Sequence, residues 1–524
     1  MTTPATRSAS EGEKFIGAPR HRWRWIALIC VIACLSRSAV FVRYFDSFAE
    51  DPDAYYALAS GLVERGEFGT DRQRAYRPPL YPLVVTADVA VDRLTDSAVG
   101  RGITIGFLQI LFGVATVLLT ERTCRNLGLG NWSYAAALIV ALDPILLRYT
   151  AYVMTEVFSA FLAALLLWLI SMLSVTPNAA APGRKRIGDN GSMSEEKLSP
   201  SDDPLLTSRG FDEGDSWRPV PVLRKYGLPL AIGVVFGLCV LCRPTFAAFG
   251  LLAAALWAFW NVRSLVRGQV RLLAPAMIVL GFSLAINPWV IRNTMVFNRP
   301  VMLTTHGGYT LLLGNNPTFY NEVVRQPMGT VWSAESLHRW QFLQSSIDHP
   351  FIYHCFADLD GKRADFRPLE FEPADYPFDI TKELDPNSPL VELHIDSYQR
   401  KRAIVNIRRD PSGAARAIIL RLSRLWSPVP IGPAREGIPA IAIWGVGIWN
   451  AAVFLLAAIG LVLVALRRRR QFLPAILLIL AFTAVHTLYW ANARMRAPLV
   501  PAIAVLAAIP LLEANRWHKS RFVK

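Results

Sequence analysis

Charge is scarce in this 524-residue chain: Asp, Glu, Lys and Arg together make 18%, against about a quarter in soluble domains. Hydrophobic residues make 53%. That imbalance excludes a soluble enzyme, a disordered scaffold and a nucleic-acid binder, although 55 Lys and Arg against 40 Asp and Glu leave a formal net charge of +15. Cysteine is scarce as well. Cys30, Cys34, Cys124, Cys239, Cys242 and Cys355 lie mostly in apolar runs, where a free thiol behaves as a small hydrophobe. The C-x-x-C of Cys239 and Cys242 has no second pair and no nearby histidine, which argues against a metal or redox centre there. A leader cleavage site is missing too: Arg20, Arg22 and Arg24 run into an apolar stretch that continues past Ala39 without a small-residue site, so this segment reads as a retained anchor. No internal repeat is visible.

Long apolar runs are what the chain has in abundance. A membrane helix needs about 20 such residues. By that measure spans fall near 25–45, 102–120, 131–149 and 152–173. A polar segment over 174–225 follows, with Arg184-Lys185-Arg186, Glu195-Glu196 and Asp202-Asp203, and its composition predicts a disordered loop. The apolar block from Tyr226 to Trp260 is too long for one crossing and is broken at Arg243-Pro244, which suits two helices meeting at a membrane face. With further spans near 272–291, 441–466, 472–490 and 497–512 the total is about ten. Between 292 and 440 lies a mostly polar, α-rich region with helical patterns over 389–409 and 411–426.

An even number of crossings puts the N-terminal segment 1–24 and the tail 513–524 on one side. Lys and Arg near the spans should mark the cytoplasmic face. With the N-terminus inside, that face collects Arg122, Arg125, Arg263, Arg267, the run Arg467 to Arg470, and Arg516. The outer face then receives the loop 46–101, which is rich in acid from Asp46 to Asp71, together with Arg243, the 292–440 region and Arg494.

Several outward residues invite chemistry. Asp51 and Asp53 precede an amphipathic helical pattern, so either can cap that helix or be left free as a reactive carboxylate. Arg77 comes just before Pro78-Pro79 and the interfacial aromatic Tyr81. Glu156 starts a span, where a carboxylate suits the positive end of the helix. Arg243, Arg494 and Arg496 are costly at a membrane face unless they snorkel to head groups or bind an anion. The segment Thr304 to Tyr309, followed by Gly314-Asn315-Asn316-Pro317, reads as a tight loop carrying His306.

In this order and placement the motifs resemble the GT-C membrane glycosyltransferases that use polyprenyl-phosphate sugars, in the branch of the protein O-mannosyltransferases and the lipid A aminoarabinose transferases. The resemblance rests on Asp53 with Tyr55-Tyr56 and Gly66, and on Arg77 to Pro82. It continues with Thr155-Glu156, Gly237 to Pro244, Pro288 with Arg292-Asn293, Gly307 to Pro317, and Arg494-Met495-Arg496 with Pro498 and Pro501. Arg77 stands where the aminoarabinose branch carries lysine, and that branch has more spans.

The resemblance implies an all-α polytopic GT-C fold of about ten spans in the inner cell membrane, with both termini cytoplasmic and the active site extracytoplasmic. It implies Asp53 as the base that deprotonates an acceptor hydroxyl, with Asp51 as second choice. Arg494, Arg496, Arg243 and Arg77 would hold the donor phosphate, and Tyr55, Tyr81, Glu156, His306, Asn315 and Asn316 would line the substrate site. Some relatives use a divalent metal such as Mg or Mn. Asp51, Asp53, Glu156 and His306 could assemble such a site, but no spacing requires one. The expected partners are a polyprenyl-phosphate-linked sugar, a lipid, glycan or protein acceptor, and membrane lipids, with no nucleic acid. A secondary transporter or lipid-linked sugar flippase is the alternative, although such proteins usually show repeats and midmembrane broken helices.

Overall fold

The computed structural model describes residues 19–70, 73–95, 102–174, 223–268, 270, 272–327, 329–348, 388–435 and 437–522. Of the disordered loop expected over 174–225, residues 175–222 lie outside the described residues, as does the stretch 349–387, while its two ends, 174 and 223–225, are helical. Among the described residues all regular elements are helices. Among the described residues nine helical segments are long and apolar enough to cross a membrane, and a bent pair makes a tenth when counted as one span.

The spanning helices are α1 (Pro19–Arg43), α4 (Ile103–Asn126), the bent pair α5 (Ser133–Ala141) and α6 (Pro144–Arg148), α7 (Glu156–Ser174), α8 (Leu228–Cys242), α9 (Phe246–Val266) and α10 (Leu273–Phe297). Two short helices outside the spans, α2 (Tyr55–Arg65) and α3 (Leu80–Thr95), carry the loop between α1 and α4. After α10 come α11 (Gly307–Gly314), α12 (Glu335–Asp348), α13 (Leu390–Arg409) and α14 (Pro411–Leu425). The chain then returns to spans with α15 (Ala440–Leu466), α16 (Leu473–Leu488) and α17 (Val500–Phe522).

Glycines set the closest helix contacts. Gly233 and Gly237 on α8 form a G-x-x-x-G whose positions meet the Ile278 carbonyl and Ala285 of α10, and Gly281 of α10 meets the Leu230 carbonyl in return. A Cβ at Gly233 would run into that carbonyl, so α8 and α10 approach only because both surfaces are small. Gly460 plays the same part between α15 and α17. By contrast α9 buries only Phe246 and Phe249, and the rest of its length is partly or fully exposed, as a lipid-facing helix should be.

The bend between α5 and α6 is 46°. Asp143-Pro144 explains it, since proline cannot donate to the preceding turn. Hydrocarbon supplies no partners for the backbone groups such a break releases. Both sides are therefore satisfied by charged side chains. Asp143 accepts from the Ile145 and Leu146 amides at 3.0 and 2.9 Å, capping α6. Arg37, fully buried in α1, donates to the Ala141 carbonyl at 2.9 Å and to Val140 at 3.2 Å, closing the end of α5. Gly113 of α4 leaves the room that the Arg37 guanidinium occupies.

The two ends of the bundle differ in charge. At one end Arg467 and Arg469 hold Glu513, Arg125 holds Glu121, and Arg122 and Arg470 lie over the Trp23 and Trp260 rings. The opposite end carries α2, α3 and the α11–α14 region, which are joined through buried polar contacts described below.

Replacing Arg37 with leucine should leave the α5 carbonyls unmatched in hydrocarbon, at roughly 1–3 kcal/mol for a buried group. The expected outcome is a lower midpoint of thermal unfolding in detergent. An unchanged midpoint would show that the break does not depend on this guanidinium.

Candidate functional site

The first loop divides its two aspartates by backbone geometry. Asp51 accepts from the Ala57 amide at 3.0 Å and so caps the first turn of α2, while its carbonyl receives the Ala54 amide. Ala54 closes this turn at φ 58°, in the left-handed region that costs a non-glycine residue roughly 1–2 kcal/mol. With capping taken by Asp51, Asp53 is turned away from the helix and stands in a half-buried position among arginines.

Three guanidinium groups and two carboxylates then form one chain of contacts. Arg77 donates from Nη2 to Asp53 Oδ1 at 3.0 Å, and Arg494 donates from Nη1 to Asp53 Oδ2 at 3.2 Å. Arg494 Nε lies 3.8 Å from Glu156 Oε1, the same oxygen that receives Arg243 Nη2 at 2.7 Å. Arg243 Nε donates in addition to Thr155 Oγ1 at 2.8 Å. Glu156 is only 1% exposed at the start of α7, and Arg243 terminates α8, so the cluster joins helix ends at a single end of the bundle.

Burial by itself would raise the Asp53 carboxyl. The charges of Arg494 and Arg77, the hydrogen bond from Arg494 and the more distant Arg243 outweigh it and hold Asp53 below the usual carboxylate range.

Two aromatic rings lie against Arg77, with the Tyr55 and Tyr76 centroids 5.7 and 5.4 Å from its guanidinium carbon. His306 Nε2 lies 3.3 Å from Arg77 Nη1. Burial first, and then Arg77, push His306 down to about 3 against a smaller opposing pull from Asp53. The ring is therefore neutral, and because arginine only donates, Nε2 must accept, which leaves the proton on Nδ1. Tyr55 meets Tyr81 edge-on at 5.1 Å, and Tyr81 is 1% exposed.

A second layer holds the loop that carries Arg77. Glu392 of α13 accepts from the Arg74 and Ala75 amides at 2.6 and 3.1 Å and from the Thr305 hydroxyl. The Thr305 amide bonds back to the Ala75 carbonyl at 3.0 Å, setting His306 beside Arg77. Arg292 at the end of α10 donates to the Arg74 and Phe68 carbonyls at 2.7 and 2.6 Å. Neither role follows from sequence, since Glu392 meets amides more than 300 positions away. The only hint was the Arg292-Asn293 motif.

Asp53, Arg77, Arg243, Arg494, Glu156, His306, Tyr55 and Tyr81 are thus brought together. Three other expected residues lie apart. Arg496 points away from the cluster: its Nη1 donates to the Leu425 and Ser427 carbonyls at 2.8 and 3.1 Å, and its guanidinium lies over Phe454. Asn315 ties the end of α11 to the Leu488 carbonyl at 2.7 Å, and Asn316 accepts the Phe319 amide at 2.8 Å as a cap. Each of the three donates to backbone carbonyls in its own surroundings rather than to the cluster around Asp53.

Among the described residues no group of three or more His, Cys, Asp or Glu side chains could hold a metal. The reason is visible in the cluster. Arg494 stands between Asp53 and Glu156, Arg77 stands between Asp53 and His306, and Asp51 is spent on a helix cap. Fixed cations occupy the positions between the candidate ligands.

The neutral His306 has a consequence for stability. An unfolded histidine gains a proton below about pH 6.5, which the folded ring declines until about pH 3. Its stabilising contribution is full above pH 6.5 and is lost progressively as pH falls toward 3. The melting temperature of His306→Gln should therefore drop less between pH 7 and pH 5 than that of wild type. Equal drops would mean that His306 titrates normally.

No protein family and no curated protein matches the chain. Among solved structures it is similar to the archaeal oligosaccharyltransferase AglB from Archaeoglobus fulgidus in complex with an inhibitory peptide and a dolichol-phosphate, at 16% identity and TM-score 0.47, over 97% of this chain and 52% of that one. The apo form of the A. fulgidus oligosaccharyltransferase gives 14% and 0.46, over 96% and 52%. ArnT from Cupriavidus metallidurans bound to undecaprenyl phosphate gives 13% and 0.36, over 93% and 78%. The chain spans about half the length of the oligosaccharyltransferases it matches.

Proposed function

We propose that this protein is a membrane glycosyltransferase of the GT-C kind, moving a sugar from a polyprenyl-phosphate donor to an acceptor hydroxyl at the outer face of the membrane. The observation that carries the reading is the cluster itself: Arg77, Arg243 and Arg494 surround Asp53 and Glu156, leaving a surplus of one positive charge around a single half-buried carboxylate. A phosphate-linked donor needs that surplus, and an acceptor hydroxyl needs that carboxylate.

In this reading Asp53 takes the acceptor proton, and the acceptor oxygen attacks the sugar carbon. The bond from that carbon to the phosphate oxygen breaks with its electron pair on phosphate. Arg494, Arg77 and Arg243 receive the phosphate, Arg494 as the residue that reaches both carboxylates. Arginine suits the task because it stays charged and offers forked donors. Tyr55, Tyr81, Glu156 and His306 shape the site around them. Arg496, Asn315 and Asn316 support the fold instead, and Asp51 supports the turn that presents Asp53.

The arginine-rich end opposite the cluster favours a cytoplasmic assignment for that end, by the bias of Lys and Arg toward the inner face. The cluster then faces outward. The transporter alternative is weakened by the same distribution. Within the spans the buried Arg37 and Asp143 serve the backbone of a broken helix, whereas the linked charges gather at helix ends.

Membranes carrying wild type or Asp53→Asn, supplied with a panel of radiolabelled polyprenyl-phosphate sugars, test the reading by transfer of label into lipid, glycan or protein. Loss of the base should cost about 10²–10⁴-fold in rate, and Arg494→Gln should lower both donor affinity and rate. Arg496→Gln should lower thermal stability with a far smaller effect on donor affinity. Chelation with EDTA should leave transfer unchanged, because the cations of the site are arginines. Undiminished transfer by a well-folded Asp53→Asn protein would remove Asp53 as the base, and no transfer from any donor by wild type would favour transport.

A further inference from the structure

Both oxygens of Asp53 are engaged by cations, Oδ1 by Arg77 and Oδ2 by Arg494. A carboxylate held in this way is a counter-ion as well as a base. Whatever protonates it also releases two guanidinium groups, and they lie within reach of the place where an incoming acceptor proton would arrive. Arg243 is held differently, by Glu156 and Thr155, and has no direct contact with Asp53. The cluster therefore contains two arginines that have a partner whose charge changes during the reaction, Arg494 keeping Glu156 as its second partner, and one arginine that has none.

The leaving group changes charge in the opposite sense. A sugar joined through phosphate to a lipid is a phosphodiester with one negative charge. Once the sugar carbon has left, the lipid phosphate is a monoester approaching two.

We propose that Asp53 and the departing phosphate share Arg77 and Arg494 in succession, so that protonation of Asp53 by the acceptor hands both arginines to the phosphate as its second charge develops. This deepens, and rests on, the glycosyl-transfer reading of the same site. The step balances. The acceptor oxygen gives its proton to Asp53 and its lone pair to the sugar carbon, and the phosphate oxygen leaves with the bonding pair. One negative charge disappears from Asp53 as one appears on phosphate, and the charge of the cluster with its ligand is unchanged throughout. No cation has to enter or leave, so the electrostatic stabilisation is already in place when the bond breaks.

Arg77 is built for such a role. The Tyr55 and Tyr76 rings both lie against its guanidinium, and His306 accepts from the amino group that Asp53 does not use. Those contacts survive when Asp53 is protonated, so the arginine keeps its position while its charge becomes available.

The experiment uses the full-length protein in nanodiscs and measures binding of undecaprenyl phosphate, the lipid phosphate without sugar, with undecaprenol as the phosphate-free control. Asp53→Asn imitates the protonated state. It should bind undecaprenyl phosphate about tenfold more tightly than wild type, a difference near 1.4 kcal/mol, with undecaprenol binding unchanged. In an Arg77→Gln, Arg494→Gln background the same Asp53→Asn change should give no gain, since the arginines to be released are gone. Asp53→Ser, also uncharged, carries the same test if the asparagine variant does not fold. Equal or weaker binding by a folded Asp53 variant overturns the hand-over, as does a gain that persists without the two arginines. Failure of wild type and every variant to bind undecaprenyl phosphate above undecaprenol overturns the glycosyl-transfer reading itself.

Discussion

Arg494 is the joint on which the charged end of the bundle depends. Its side chain reaches Asp53, 441 positions earlier in the first loop, and Glu156 at the start of α7, while its own backbone lies in the turn between the last two spans. Removing a charge from water is expensive, and a group of buried charges persists only where each has partners at close range. Here no member is satisfied by one neighbour alone. Asp53 needs two arginines, Glu156 needs two, and Arg243 needs both Glu156 and Thr155. Helix ends from distant parts of the sequence are thereby fixed relative to one another without a covalent link.

The apolar part of the bundle answers a second constraint, that every backbone group in hydrocarbon must find a partner within the protein. Continuous helices meet it unaided. The Asp143-Pro144 break does not, and the structure places Arg37 and Asp143 on either side of it. Charged residues in a span are often taken as signs of transport or catalysis, yet these two have their hydrogen bonds directed at main-chain atoms. The same distinction separates Arg496 from Arg494. In a 3-10 turn successive residues are about 120° apart, so two residues at i and i+2 face different ways. One meets the Asp53 carboxylate, and the other meets the Leu425 and Ser427 carbonyls at the end of α14.

These cases mark what could be read from sequence and what could not. The all-helical polytopic architecture was legible because each span announces itself locally, through length and apolar content. Helices over 389–409 and 411–426 were legible from their periodicity, and they appear as Leu390–Arg409 and Pro411–Leu425. The gathering of Asp53, Arg77, Glu156, Arg243, His306 and Arg494 was anticipated only through their motifs and their common placement at one face. Choices between near neighbours were not legible. Asp51 and Asp53 are chemically alike, and the left-handed Ala54 decides which of them caps the helix. Glu392 left no trace in sequence, because an acidic residue in a polar helix looks the same whether it meets water or the amides of a distant loop.

The surplus of one positive charge also bears on what the proposed site would accept. Two carboxylates bridged by a divalent ion can exchange that ion, and the charge of the site then varies with metal supply. Carboxylates bridged by arginine cannot, so the charge is set by the chain. A ligand with one negative charge brings the cluster to neutrality. One with two, such as a diphosphate-linked donor, leaves an excess that no described residue of the cluster offsets, within a half-buried setting where uncompensated charge is costly. Neutrality thus matches a single phosphate, and in the proposed reaction it holds equally before and after transfer, because there the proton that neutralises Asp53 arrives as the phosphate gains its second charge.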